Sequence, residues 1–117
     1  MKLLFLALFS AVGLLFIGLA VPLIRRRVKP NQLYGIRVNA TFADEWVWYE
    51  ANARSGRDLA ILGALQLVIA VSLSLLPTKE LNYVLINAAF LVAGTITFGI
   101  VGWRRANVLL ESRRRSA

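Results

Sequence analysis

The chain has 117 residues, a net charge of +8, no cysteine and no histidine, and it is 58% hydrophobic, with a mean hydropathy of +0.64. A soluble domain of this length cannot bury so much apolar surface. The lack of cysteine excludes disulfides and thiolate metal sites, and the lack of histidine removes the commonest general base and metal ligand. We therefore predict one all-α integral membrane domain over residues 1–117, with no cofactor, metal site or catalytic residues.

Three apolar runs are long enough to cross a bilayer as helices. The first, at residues 3–24, carries no charge, and a helix of that length spans about 33 Å against a hydrocarbon core of about 30 Å. The second, at residues 59–76, is stopped by Pro77, and the third covers residues 83–103. A cleaved signal peptide is the alternative for the first run, which is however longer than the usual apolar core of about 7–15 residues.

The distribution of lysine and arginine predicts the orientation of the chain. Residues 25–58 carry seven of these bases and residues 104–117 carry five, whereas the rest of the chain has only Lys2 and Lys79. Basic loops are retained on the cytoplasmic side. We therefore predict a cytoplasmic loop at residues 25–58, a cytoplasmic tail at residues 104–117 that is mobile from Glu111 onwards, and an N-terminus outside.

The second half of the long loop predicts a further helix between the first and second spans. Thr41 suits its N-cap, with Asp44 three residues later, and the helix can run from about residue 42 towards Gly56. Trp48 and its aromatic neighbours beside charges are typical of an amphipathic helix at the membrane interface. This interfacial helix is predicted to bend near Gly56 into the second span; a continuous helix through both segments is the alternative.

Polar side chains of this loop form a candidate site. On the predicted helix, Glu45, Trp48 and Asn52 are three and four residues apart and share one face. Arg37 is predicted to pair with Glu45, because a guanidinium fits a carboxylate in a partly dry site. The cluster either binds a ligand or only folds the loop onto the membrane. Its candidate residues are Asn31, Tyr34, Gly35, Arg37, Glu45, Trp48 and Asn52.

Other polar and small residues within the spans are predicted to serve helix packing. Gln66 and Asn87 lie inside the second and third spans, where amides usually form hydrogen bonds between helices. Gly56, Ala60 and Ala64 recur every four residues, a spacing that lets helices approach closely. None of these residues is predicted to take part in chemistry.

The same loop resembles the SdpI family of bacterial membrane proteins. The similarity covers about residues 29–57, and it departs from the family where Asn39 occupies a position that is often proline. Several residue types at fixed spacing make it more specific than a lone glycine motif. The residues that carry it are Pro30, Asn31, Tyr34, Gly35, Ile36, Arg37, Thr41, Trp48, Asn52 and Gly56.

The resemblance implies a function as well as a fold. It implies a bacterial inner-membrane protein, here a single three-span module, that protects against or senses a membrane-active peptide toxin through its cytoplasmic-side loop. The partner it implies is a peptide toxin or a membrane-recruited repressor. Membrane lipids are the other expected partners; a homo-oligomer is an open alternative, and nucleic acid binding is not expected. The alternative function is that of an accessory subunit of a larger membrane complex. An enzyme is the weakest hypothesis, because Glu45 or Asp44 would have to serve as the base.

Overall fold

The computed structural model describes residues 1–116, which contain helices, turns and no strand. Four α-helices follow in chain order: α1 (Lys2–Ile24), α2 (Asn39–Ala43), α3 (Glu45–Ser74) and α4 (Glu80–Arg115). The helices α1, α3 and α4 are each long and apolar enough to cross a membrane. The predicted all-α membrane fold with three spanning helices is therefore confirmed.

Helices α1 and α3 pack antiparallel through small residues. A Cβ atom added to Gly13 would lie 2.7 Å from the carbonyl oxygen of Gly63, and one added to Gly63 would lie 2.5 Å from the carbonyl oxygen of Gly13. Seven residues further along α1, the carbonyl of Ala20 faces Gly56. Backbones can approach this closely only where side chains are absent, and membrane helices commonly associate in this way.

Helix α4 packs on α3 through a ladder of buried polar groups. The side-chain amide of Gln66 donates to Asn87 Oδ1 at 2.8 Å, and Asn87 in turn donates to the carbonyl of Tyr83 at 2.9 Å. The hydroxyl of Tyr83 donates to the carbonyl of Ala70 at 2.9 Å. The prediction that Gln66 and Asn87 bond between helices is confirmed. Because α1 and α4 touch each other little, α3 lies between them as the central helix.

Two helices continue beyond the end of α1 and form a small second part of the molecule. Gly56 packs against the last turns of α1, so residues 45–55 of α3 extend about 16 Å further. Residues 102–115 of α4 extend about 20 Å beside them. Together with the connection from α1, these segments form what we call the head, defined as residues 25–55 and 102–115. Its apolar core contains Ala40, Val47, Ala51, Ala106 and Leu109.

The predicted amphipathic interfacial helix is not confirmed. Helix α3 runs without interruption from Glu45 to Ser74, so the continuous-helix alternative describes it correctly. Of the aromatic side chains that suggested an interfacial position, Trp48 is fully buried in the head, whereas Trp46 is exposed. The predicted Thr41 cap is also wrong, because the carboxylate of Asp44 accepts from the backbone N–H groups of Trp46 and Val47 at 2.8 and 3.3 Å.

Residues 111–115, most of the segment predicted to be mobile, are helical instead. Residues 104–115 continue α4, and Ala106 and Leu109 bury their side chains in the head core. Arg113 adds a polar contact, since its Nε lies 3.4 Å from Asp44 Oδ2 and its guanidinium lies over the ring of Trp46. Apolar positions on one face thus extend the helix beyond the third span. The final residue of the predicted tail, Ala117, lies outside the described residues.

The glycine contact predicts how α1 and α3 respond to substitution. Gly13→Ala should lower the free energy of unfolding by about 1–3 kcal/mol, because the new methyl group overlaps the α3 backbone. Gly18→Ala is the matched control, since a Cβ atom there meets no atom within 4 Å. Thermal unfolding of the detergent-solubilised protein measures both. Equal stability of the two variants would contradict the contact.

Candidate functional site

The turn that carries the first motif residues is closed by Asn31. Its Oδ1 accepts from the backbone N–H groups of Leu33 and Tyr34 at 2.8 and 2.7 Å. Its Nδ2 donates to the carbonyls of Lys29 and Tyr34 at 2.7 and 3.2 Å. An asparagine amide that both donates and accepts is suited to this local role. The side chain is therefore engaged by its own loop.

Tyr34 attaches this turn to the first membrane helix. Its hydroxyl donates to the carbonyl of Leu19 in α1, and its ring lies among the apolar residues around Ala20 and Leu23. Burial raises the pKa of the Tyr34 hydroxyl above its ordinary value, so this donor keeps its proton at neutral pH. The contact holds the turn beside the end of α1.

Gly35 and Asn52 join the loop to α3. Asn52 Oδ1 accepts from the backbone N–H of Ile36 at 2.5 Å, and Asn52 Nδ2 donates to the carbonyls of Trp48 and, at 3.5 Å, Ile36. Gly35 has φ +107°, and a Cβ atom there would lie 2.7 Å from Asn52 Oδ1. Only glycine has both the backbone freedom and the small size that this approach requires. Asn52 is 2% exposed, so the contact lies inside the head.

Two further motif side chains complete the frame. The hydroxyl of Thr41 lies 2.9 Å from the carbonyls of Ile36 and Val38 and accepts from the N–H of Val38 at 3.0 Å. Trp48 Nε1 donates to the carbonyl of Val28 at 2.8 Å, which fastens the start of the connection to α3. Both side chains are buried and hydrogen-bonded. They therefore stabilise the loop from within.

The predicted ion pair between Arg37 and Glu45 does not form. Both side chains are exposed, and Arg37 Nη1 instead donates to the carbonyl of Gln32 within its own turn. Glu45 lies in the first turn of α3, where the helix dipole favours a carboxylate. The structure thus brings together Asn31, Tyr34, Gly35, Trp48 and Asn52, and leaves the two charged candidates on the surface.

An ion-pair network around Glu50 was missed by the sequence reasoning. Glu50 Oε2 lies 2.7 Å from Arg26 Nη1, and Glu50 Oε1 lies 2.9 Å from Arg54 Nε. Arg26 has φ +58° and occupies the left-handed position that ends α1, where its N–H bonds to Leu23 and that of the next residue bonds to Pro22. The four-residue spacing of Glu50 and Arg54 could have indicated half of this network.

The network lowers the pKa of Glu50 below its ordinary value of 4.5, chiefly through the hydrogen bond from Arg26 and then that from Arg54, against an opposing effect of burial. A carboxyl with a lowered pKa in the folded state stabilises that state fully above pH 4.5. This stabilisation is lost as the pH falls through the lowered value. The head should therefore weaken in acid.

We expect acidification from about pH 6 to about pH 3 to lower the unfolding temperature of the parent protein more than that of Glu50→Gln, which no longer titrates at this position. Glu111→Gln is the control, because Glu111 belongs to an exposed pair on the last turns of α4. Thermal unfolding at a series of pH values measures the difference. Parallel pH profiles for parent and Glu50→Gln would exclude a contribution from this carboxyl.

The buried amide predicts a second stability effect. Asn52→Ala should lower the free energy of unfolding by about 1–3 kcal/mol, because it leaves the peptide group of Ile36 buried without its partner. Asn82→Ala is the matched control at an exposed position of α4. Unfolding of the detergent-solubilised variants measures both changes. If the two variants matched the parent protein, the amide would not hold the loop.

The chemistry of the site is that of a folded scaffold with an exposed turn. Within residues 1–116, no group of three or more histidine, cysteine, aspartate or glutamate side chains is placed to hold a metal ion. The buried motif atoms bond to the chain itself. Leu33, at 90% exposure, and Arg37 remain on the surface of the turn. These features define a multi-pass membrane protein with a compact head beside the membrane.

A comparison with known families identifies this class more closely. The model of the SdpI/YfhL protein family matches residues 27–102, which include most of the head and the whole of α3. The chain therefore belongs to the SdpI/YfhL family, as its loop signature indicated. Searches with the chain found no matching curated protein and no matching solved structure.

Proposed function

We propose that this protein is an SdpI-type immunity protein of the bacterial inner membrane that binds or senses a membrane-active peptide through its head. In this proposal the head faces the cytoplasm, and the protein acts by binding, without catalysis. The family match, which covers residues 27–55 of the head, carries the proposal. The arrangement of the head supports it, since a rigid frame presents a short exposed turn.

The exposed turn is suited to contact a partner. The side chain of Leu33 projects from it with 90% of its surface exposed, although its own backbone N–H and that of Tyr34 donate to Asn31 Oδ1. Arg37 folds back over the same turn through its bond to the carbonyl of Gln32. An apolar side chain and a guanidinium therefore lie together on a fixed backbone. Fixing these groups in advance reduces the ordering cost of binding.

The position of the turn fits a partner that lies at the membrane surface. Tyr34 bonds to Leu19 in the last turns of α1, so the turn lies where the first span ends. An amphipathic peptide at the interface offers an apolar face and polar backbone or carboxylate groups. Leu33 can contact the apolar face, and Arg37 can bind an acceptor of the peptide or of its carboxyl terminus.

Survival of a sensitive bacterial host that expresses the protein tests this function. With a panel of membrane-active peptides, we expect the parent protein to protect against at least one peptide. Leu33→Ser and Arg37→Gln should lose at least tenfold of that protection while accumulating normally in the membrane, because neither side chain is buried. Leu81→Ser and Arg114→Gln are matched controls at exposed positions at the opposite end of the spans and on the last turn of α4.

Three results would count against the proposal. Unchanged survival across the whole panel would remove the protective role. Full protection by Leu33→Ser and Arg37→Gln would show that the peptide does not contact the turn. Purification in mild detergent with a stoichiometric membrane partner would favour the accessory subunit instead.

A further inference from the structure

A groove of about 500 Å³ lies between α3 and α4 within the membrane-spanning part of the molecule. Its walls are almost entirely apolar, with Leu62 and Leu65 on α3 and Phe90 and Phe98 on α4. Polar side chains enter it mainly at one end, where Asp58 and Arg105 meet beside the head. The groove therefore has the shape of an apolar slot with a charged mouth.

The way in which α4 packs explains why the groove exists. Contacts of Tyr83 and Asn87 hold α4 to α3 near one end, and Gly102 and Ala106 hold it near the other. Between these contacts Leu62 of α3 packs against Gly94, and the small side chains of Ala93 and Thr97 leave the groove beside it. The groove lies along the parts of α3 and α4 that are apolar enough to cross a membrane, where acyl chains can reach it. The small residues that line it are Ala93, Gly94 and Thr97.

The guanidinium of Arg105 at the charged mouth has N–H donors beyond those that bind Asp58 and Ser55. Arg105 Nη1 lies 2.9 Å from Asp58 Oδ2 and 3.3 Å from Ser55 Oγ. A guanidinium carries five N–H donors, so this pairing uses only part of its capacity. The side chain of Arg105 is 23% exposed, which leaves it accessible from the mouth. An anion placed there would accept from a guanidinium that Asp58 already holds in position.

Two more arginines increase the positive charge around the mouth. Arg57 is exposed and lies four residues before Ile61, a groove residue on the same face of α3. Arg104 is exposed and lies seven residues after Thr97 on the groove face of α4. Helical spacing thus places Arg57 and Arg104 at the same end of the groove as the Arg105–Asp58 pair. This excess of positive charge attracts an anionic group at the depth of the lipid headgroups.

From this arrangement we propose that the groove binds an anionic phospholipid, with an acyl chain between α3 and α4 and the phosphate headgroup at Arg105. A second copy of the chain fits less well. Two copies that pack side by side in the membrane through this groove would bring the arginines of both mouths to the same depth and repel each other. A lipid with a net negative headgroup supplies both the apolar filling and the missing charge.

Native mass spectrometry of the full chain in mild detergent tests the proposal with two probes, dioleoylphosphatidylglycerol and dioleoylphosphatidylcholine. These lipids share their acyl chains and differ in headgroup charge. We expect the parent protein to retain one phosphatidylglycerol with at least fivefold preference, the equivalent of about 1 kcal/mol. Arg57→Gln combined with Arg104→Gln should remove most of the preference without affecting folding, because both side chains are exposed.

A matched pair of variants tests the position of the acyl chain. Thr97→Phe should fill the groove and reduce retention of phosphatidylglycerol at least fivefold. Thr95→Phe is the control, because Thr95 is exposed on α4 outside the groove and its hydroxyl bonds to a carbonyl of the preceding turn, as that of Thr97 does. Equal retention of the two lipids, equal behaviour of the two phenylalanine variants, or a dimer that excludes lipid would each overturn the proposal.

Discussion

The hydrogen bonds between the Asn52 amide and the peptide group of Ile36 hold the head together. They connect a loop that has no regular structure of its own to the central helix α3. Because Asn52 is buried, the loop polar groups that face it find their partners away from water. Gly35 makes the approach possible, and the turn closed by Asn31 presents Ile36 at the right place. The bonds of Tyr34 to Leu19 and of Trp48 to Val28 attach the same loop on either side.

The central position of α3 links the head to the membrane-spanning part. The first turns of this helix carry Trp48 and Asn52, which fix the loop, and its middle carries Gly63 and Gln66, which pack α1 and α4. A bend near Gly56 would separate these two functions. Because α3 is uninterrupted, the head is a rigid continuation of the spans. A contact at the head and the helix packing in the membrane therefore involve the same helix.

The sequence predicted the spans well because their length and lack of charge follow directly from the thickness of a bilayer. It also predicted that Trp48 and Asn52 share a face, since that follows from helical spacing. It did not predict that Arg26 meets Glu50, because this contact depends on the left-handed end of α1. The same limit explains the wrong pairing of Arg37, whose direction is determined by its turn.

The structure separates what family membership explains from what it leaves to the individual protein. Much of the signature stabilises the fold of the head. The amides of Asn31 and Asn52 are hydrogen-bonded within it, and Gly35 allows the close approach to Asn52. A family signature of this kind identifies a scaffold. The side chains exposed between the signature residues, such as Leu33 at 90% exposure, are free of this role. Members that share the signature can therefore share a head and still differ in these exposed side chains.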